Sequence, residues 1–219
     1  MIFQNRTDAG RRLAQRLLTY ANRPDVLVLA LPRGGVPVAF EIARELKAPL
    51  DVFVVRKLGV PGQEELAMGA IASGGSCVLN QHLIRAIGIT QDEVNTVIAQ
   101  EKRELQRRQR LYRADRPYPD LHNRTVILVD DGLATGATMY AAVTALRKLE
   151  PARLIVAVPV AAKEVCDRFG HIVDEMVCVQ TPDPFDGVSR WYADFSQTTD
   201  DEVRELLMRA NPGAAALPG

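Results

Sequence analysis

Thr125-Val126-Ile127-Leu128-Val129-Asp130-Asp131-Gly132-Leu133-Ala134-Thr135-Gly136-Ala137-Thr138 decides how this chain is read. Val126–Val129 are four apolar residues in a row, the composition of a strand buried on both faces of a parallel sheet. Two carboxylates follow at the strand's carboxyl end, where open α/β sheets place their ligands. A loop of small residues, Ala134 to Thr138, then runs into Met139–Leu149, which reads as a helix. Glycine lets a backbone approach an anion closely, and the first N–H groups of a helix are unpaired and lie at its positive end. Thr135 and Thr138 add hydroxyl donors, so Ala134, Thr135, Gly136, Ala137 and Thr138 form a candidate phosphate cradle beside two acids.

An acidic pair also occurs in plain turns, and a threonine can simply cap a helix. The order strand, acids, Gly-Thr loop, helix favours the cradle. No Gly-Lys-Ser or Gly-Lys-Thr occurs, which excludes a nucleoside-triphosphatase loop, and no G-x-G-x-x-G opens a helix to support a dinucleotide fold.

The stretch resembles the 5-phosphoribosyl-1-pyrophosphate (PRPP) signature of type I phosphoribosyltransferases. The resemblance implies that Asp130 and Asp131 hold the ribose hydroxyls and that residues 134–138 hold the 5-phosphate. Gly132 stands where that family usually has an aliphatic residue, a departure expected to loosen the turn after the acids.

Upstream, Asp8–Asn22 has a helical pattern with Leu13, Leu17 and Leu18 on one stripe, and Arg23-Pro24-Asp25 stops it. Val26–Leu31 reads as a buried strand, followed by Pro32-Arg33-Gly34-Gly35 and a helix to about Lys47. Asp51–Val55 reads as the next strand, ending in Arg56-Lys57, so a right-handed crossover is expected. Paired glycines can expose a concave set of N–H groups, and Arg33 adds a bidentate donor; a tight turn is the plainer alternative. By the resemblance, Arg33, Gly34 and Gly35 form the pyrophosphate loop, where the family often has a cis peptide, and Lys57 neutralises the leaving pyrophosphate. Leu58–Glu65, rich in glycine, is expected to be a mobile lid, with Ala67–Ser73 and Cys77–Leu79 forming a hairpin across Gly74-Gly75.

Thr90–Arg113 is one long amphipathic helix with a Thr90/Glu93 capping box. Lys102, Arg103, Arg107, Arg108, Arg110 and Arg113 crowd its second half. Glu101 and Glu104 interrupt them and no aromatic platform lies among them, so a solvated or subunit-facing helix is expected rather than a nucleic-acid patch. Arg153–Val160, a helix at Ala161–Phe169 and a strand at Ile172–Val179 complete the core. The expected architecture is α/β: a doubly wound, mainly parallel five-stranded sheet of the phosphoribosyltransferase type. One domain spans 1–210, with its core at about 25–180 and a C-terminal hood at about 181–210, and 211–219 is expected to be a disordered tail. The resemblance places the hood over the acceptor. Phe185, Trp191 and Tyr192 could stack on a planar ring there, or simply pack.

The 219 residues are 47% hydrophobic and 25% charged, with 27 basic and 27 acidic side chains. This balance makes no overall case for nucleic acid or an anionic membrane. Three cysteines without C-x-x-C spacing argue against a disulfide framework or structural zinc, and the three histidines lack metal spacing. Met1–Gly10 has no apolar signal core and no run approaches a membrane span, so a cytoplasmic protein is expected.

The resemblance implies a Mg²⁺-dependent pentosyltransferase. It passes the phosphoribosyl group of PRPP to a nitrogen acceptor, a nucleobase being the first candidate, and releases pyrophosphate. Asp130 and Asp131 would meet Mg²⁺ directly, or through water and the ribose hydroxyls. A homodimer is expected. A PRPP-binding regulator on the same fold is the alternative; retention of Arg33, Lys57 and both acids favours the enzyme. A phosphatase is disfavoured because no further acid cluster accompanies the pair.

Overall fold

The apolar runs at 26–31 and 126–129 have no polar face, so each is stable only in the middle of a sheet covered on both sides. The computed structural model, which describes residues 1–113 and 116–211, places them side by side there. Five parallel strands, β1 (Val26–Ala30), β2 (Leu50–Val52), β6 (Thr125–Val129), β7 (Arg153–Val160) and β8 (Glu175–Gln180), pair in the order β2-β1-β6-β7-β8. A second, antiparallel sheet holds β3 (Val55–Val60), β4 (Gln63–Ala72) and β5 (Cys77–Leu79).

Strand alternation splits the core in two. Val28, Ala30, Ile127 and Val129 face α1 (Arg6–Arg16) and α2 (Gly35–Leu46), where Leu13, Leu17 and Ile42 are buried. Leu27, Leu29, Val126 and Leu128 face α5 (Ala137–Arg147) and α6 (Lys163–Gly170), where Met139, Leu146 and Phe169 are buried. Helices on both faces of a parallel sheet make the fold α/β and doubly wound. From β1 the chain winds outward to β2, and from β6 it winds the opposite way to β7 and β8. The order therefore reverses between β1 and β6, and the crevice beyond their carboxyl ends is the topological switch point.

Four expectations need correcting. The strand expected at Asp51–Val55 is two elements: β2 stops at Val52, and Val55 opens β3, which pairs antiparallel with β4. Arg56 and Lys57 thus lie within a hairpin rather than at the end of a core strand, because the unbroken apolar run 52–55 hides a change of pairing partner. The lid stretch 58–65 is largely strand, turning at residues 61–62, while the expected pairing across Gly74-Gly75 does form as β4 with β5. The helix expected at Asp8–Asn22 ends at Arg16 and is followed by a short 3-10 turn, Leu18–Tyr20. Finally, Cys166 on α6 and Cys178 on β8 form a disulfide, because α6 packs beside the last strand.

Asn80 caps α3 (Gln81–Ile87), and α4 (Gln91–Arg113) starts with the capping box, Glu93 accepting from both the amide and the hydroxyl of Thr90. Arg113, at the end of α4, is not part of a solvated basic face. Its guanidinium donates to both oxygens of the buried Asp51 on β2 at 2.8–3.1 Å. The C-terminal α7 (Asp200–Ala210), capped by Thr199, buries Val203 and Leu207 in the main core against α2 and α4, so this part of the expected hood at 181–210 packs with the core. Asn211 donates to the Leu50 carbonyl and belongs to the folded part; the rest of the expected tail lies outside the described residues. Among the described residues no helix is long and apolar enough to cross a membrane.

Candidate functional site

Two loops leave the switch point side by side. Ala30 and Val129 are register partners at the carboxyl ends of β1 and β6, and Leu31 N–H donates to the Val129 carbonyl at 2.9 Å. The chain after β1 is Pro32-Arg33-Gly34-Gly35, with a cis peptide between Pro32 and Arg33, and the chain after β6 is Asp130-Asp131. They interlock atom against atom. A Cβ added at Gly34 would lie 2.0 Å from Oδ2 of Asp131, and one at Gly35 would lie 2.7 Å from the Val129 carbonyl. Glycine is needed at both positions for close approach, since Gly34 has ordinary helical φ and ψ.

The acids are held from their own side as well. Asp131 N–H donates to Oδ1 of Asp130 at 2.9 Å. Burial and the neighbouring Asp131 charge push the Asp130 carboxyl well above the ordinary aspartate range. Burial also pushes up Asp131, with the nearby Arg6 guanidinium offsetting part of the effect. Arg6 Nε lies 2.8 Å from Asp131 Oδ2, its Nη1 donates to the Ser196 carbonyl at 2.7 Å, and its guanidinium stacks 3.9 Å above the Phe195 ring. One side chain from α1 thus joins the acid loop to the hood.

Gly132 fills a different role from the looser turn expected of it. A Cβ there would meet Val188 Cγ1 at 2.5 Å, so the missing side chain is the space that the hood residue Val188 occupies. Leu133 N–H then donates to the Val160 carbonyl, anchoring the loop to β7 before the candidate cradle of residues 134–138 begins. Ala134, Thr135, Ala137 and Thr138 are exposed, and Gly136, at φ +73°, caps α5 with Phe169 and Val165 closing the space beside it. Thr135 Oγ1 accepts from Ala137 N–H at 3.4 Å, and Arg168 from α6 donates to the Thr135 carbonyl at 2.6 Å.

Residues 1–183 match the family described as "Phosphoribosyl transferase domain". The chain belongs to that family. Two Mycobacterium tuberculosis proteins, from strains CDC 1551 and H37Rv and each named "Putative phosphoribosyl transferase", are 47% identical over 210 residues. The match covers 96% of this chain, which spans 47% of the length of either relative. The crystal structure of TT1426 from Thermus thermophilus superposes with a TM-score of 0.85 at 40% identity, covering 95% of this chain and 99% of that one.

Within this phosphoribosyl transferase domain, the expected site residues separate into two groups. Arg33, Gly34 and Gly35 follow β1, and Asp130, Asp131 and 134–138 follow β6, its neighbour in the sheet. Arg33 leans toward α7, its Nη1 lying 3.9 Å from Asp200 Oδ1, which also accepts from Tyr112 of α4. Lys57 is exposed on β3, on the opposite side of the strand from the buried Leu58. Its neighbour Arg56 pairs with Glu101 on α4 at 2.7 Å, which ties the hairpin to that helix. Of the three aromatics, Tyr192 has no free face: it is buried between Phe3 and Phe195, with its hydroxyl 2.6 Å from the Asp131 carbonyl. Its contribution is to brace the acid loop. Phe185 and Trp191 are half-buried in the same cluster. Sequence reading missed Arg6, Arg168 and Phe195. Arg6 carries no local signal, since its partner lies 125 residues away.

Among the described residues no group of three or more metal-binding side chains converges. Two adjacent carboxylates suit a hard ion that keeps several waters and shares oxygens with a phosphorylated substrate, as Mg²⁺ does.

Proposed function

We propose that this chain transfers the 5-phosphoribosyl group of PRPP to a nitrogen acceptor and releases pyrophosphate. The observation that carries this reading is the interlock of Gly34 with Asp131, which sets the loop after β1 against the acid pair at the switch point. The acceptor nitrogen attacks the anomeric carbon. The carbon–oxygen bond to pyrophosphate breaks, and its electron pair leaves with the pyrophosphate. Positive charge develops on the sugar ring, where Asp130 and Asp131 stabilise it. Negative charge develops on the leaving group, toward which Arg33, the Gly34 and Gly35 N–H groups and Lys57 supply donors. Bound Mg²⁺ would add charge neutralisation at the pyrophosphate oxygens. Ala134 to Thr138, at the start of α5, bind the 5-phosphate and so fix the sugar's register against the acids. Phe185 and Trp191 are the acceptor-side candidates, and family membership supports a homodimer acting on small molecules.

The test measures pyrophosphate release from PRPP and Mg²⁺ with pooled nucleobases and amines, against the Asp130→Asn, Asp131→Asn double variant. Acceptor-dependent release that the variant loses is the expected result. No release, with PRPP still bound, would replace the transferase by a PRPP-binding regulator.

Arg6 supplies a second check. The ionic hydrogen bond to Asp131 keeps that acid charged and aimed, and such bonds contribute about 1.5–3 kcal/mol. Arg6→Gln should therefore lower kcat/KM for PRPP by roughly tenfold or more. Because Arg6 lowers the Asp131 pKa, its loss should move the acid limb of the pH–rate profile to higher pH. A profile that stays in place would mean Arg6 only packs the hood.

A further inference from the structure

The basic half of α4 takes no part in the candidate active site, and several of its cations are already paired. Arg107 and Arg108 pair with Glu104, and Arg113 pairs with Asp51. Lys102 and Arg110 have no carboxylate partner among the described residues, and Arg116 Nε donates to the Arg113 carbonyl at 3.2 Å. These three cations line one cavity of about 400 Å³ between α4 and the Gly74-Gly75 turn. Lys102, Gln106, Gln109 and Arg113 follow one stripe of the helix along its wall.

We propose that this cavity binds a small, multiply charged anion of the phosphate-ester or polyphosphate class, at a site separate from the acid pair. Guanidinium forks and an ammonium match phosphate oxygens, and the glutamine amides add neutral donors. Cations gathered in a concave site repel one another, and an anion removes that repulsion. Gly74 and Gly75 both lie in the left-handed region, at φ +77° and +79°, and nothing stands within 4 Å of a Cβ position at Gly75, so the backbone there is open to a ligand. Tyr118 forms part of the wall, its ring stacked on Arg113 and its buried hydroxyl without a hydrogen-bond partner among the described residues. No row of aromatic faces accompanies the cations, which disfavours single-stranded nucleic acid.

The location is distinct from the phosphate cradle. A Cβ at Gly74 would lie 3.0 Å from Leu149, just past the carboxyl end of α5, whereas residues 134–138 sit at the amino end of the same helix. The two sites lie at opposite ends of this helix, whose eleven residues span about 16 Å. The cavity also borders the hairpin that carries Lys57: Gln109 donates to Ser73 Oγ, which accepts from Val54 N–H next to β3. The proposal does not depend on the transferase reading.

Hydrogen–deuterium exchange of the full chain with inorganic tripolyphosphate tests it, comparing wild type with the Lys102→Gln, Arg110→Gln double variant. Both side chains are exposed and without a carboxylate partner among the described residues, so the variant should keep its melting temperature. In wild type, tripolyphosphate should slow exchange at 73–76 and 102–113 as well as at 134–138. In the variant, protection at 73–76 and 102–113 should need at least tenfold more tripolyphosphate, with protection at 134–138 unchanged. Protection confined to 33–35 and 134–138 in both proteins would overturn the proposal. So would protection of 102–113 that rises with protein concentration alone, which would make this face an interface between copies. If the variant melts low, Lys102→Arg with Arg110→Lys replaces it; this pair keeps both charges and should keep the protection, and its loss would overturn the proposal too.

Discussion

Gly34→Ala should abolish most of the PRPP-dependent activity while leaving the sheet intact. The added methyl would sit 2.0 Å from Oδ2 and 2.7 Å from Cγ of Asp131, an overlap that cannot persist. Asp131 cannot simply swing aside, because Arg6 grips the same oxygen and the Tyr192 hydroxyl holds its carbonyl. Either the loop after β1 or the acid loop must move, and the proposed setting of pyrophosphate donors against ribose acceptors is lost with it. A loss of at least thirtyfold in kcat/KM, about 2 kcal/mol, is expected, with overpacking costing about 1–3 kcal/mol of stability. Steady-state kinetics with a parallel melting curve checks both. Full activity in Gly34→Ala would show that the two loops need not touch. It would also remove the observation on which the proposed function stands.

Replacing both acids by asparagine should move function and stability in opposite directions. Loss of the charge opposite a cationic sugar is expected to reduce turnover by at least about a hundredfold, roughly 3 kcal/mol. Asparagine keeps an oxygen at Asp130 to accept from the Asp131 N–H, so the loop should hold its shape. In the folded protein Asp130 binds its proton more tightly than in the unfolded chain, since burial and the Asp131 charge both raise its pKa. Folding stability therefore falls as pH rises above the ordinary aspartate value of 3.8 toward the raised folded value, and the loss is present in full beyond it. With EDTA present at neutral pH, the variant should melt higher than wild type, by roughly 2–4 °C for each kcal/mol recovered. A lower melting temperature would mean that the acids are structural. Acids kept in place against a stability cost are characteristic of a functional site.

The residues in both predictions stand in short, recognisable stretches, so the sequence singles them out, but the contact of Gly34 with Asp131 is not legible there. Val126–Val129 followed by two acids announces a buried strand with a candidate site at its end, because strand burial and helix-terminus chemistry are written in adjacent residues. The same holds for Arg33-Gly34-Gly35 after Val26–Leu31, and for the Thr90/Glu93 cap. Local physics settles these. It does not settle where a run of apolar residues changes partner, so β2 and the start of β3 read as one strand and Lys57 falls at a strand end. Nor can it tell whether Tyr192 stacks on a ligand or braces the acid loop, since that depends on Phe3 from the other end of the chain.

The sequence alone thus determined the fold class and singled out the acid pair and two candidate anion loops, because each is written in residues within one strand, turn or helix start. Only the tertiary structure decided how tightly those parts are joined. The Gly34–Asp131 contact, the Arg6 clamp, the space at Gly132 for Val188 and the cavity beside α4 all bring together residues distant in sequence. Their positions follow from how the sheet and its helices pack, and packing leaves no trace in any single stretch of the chain.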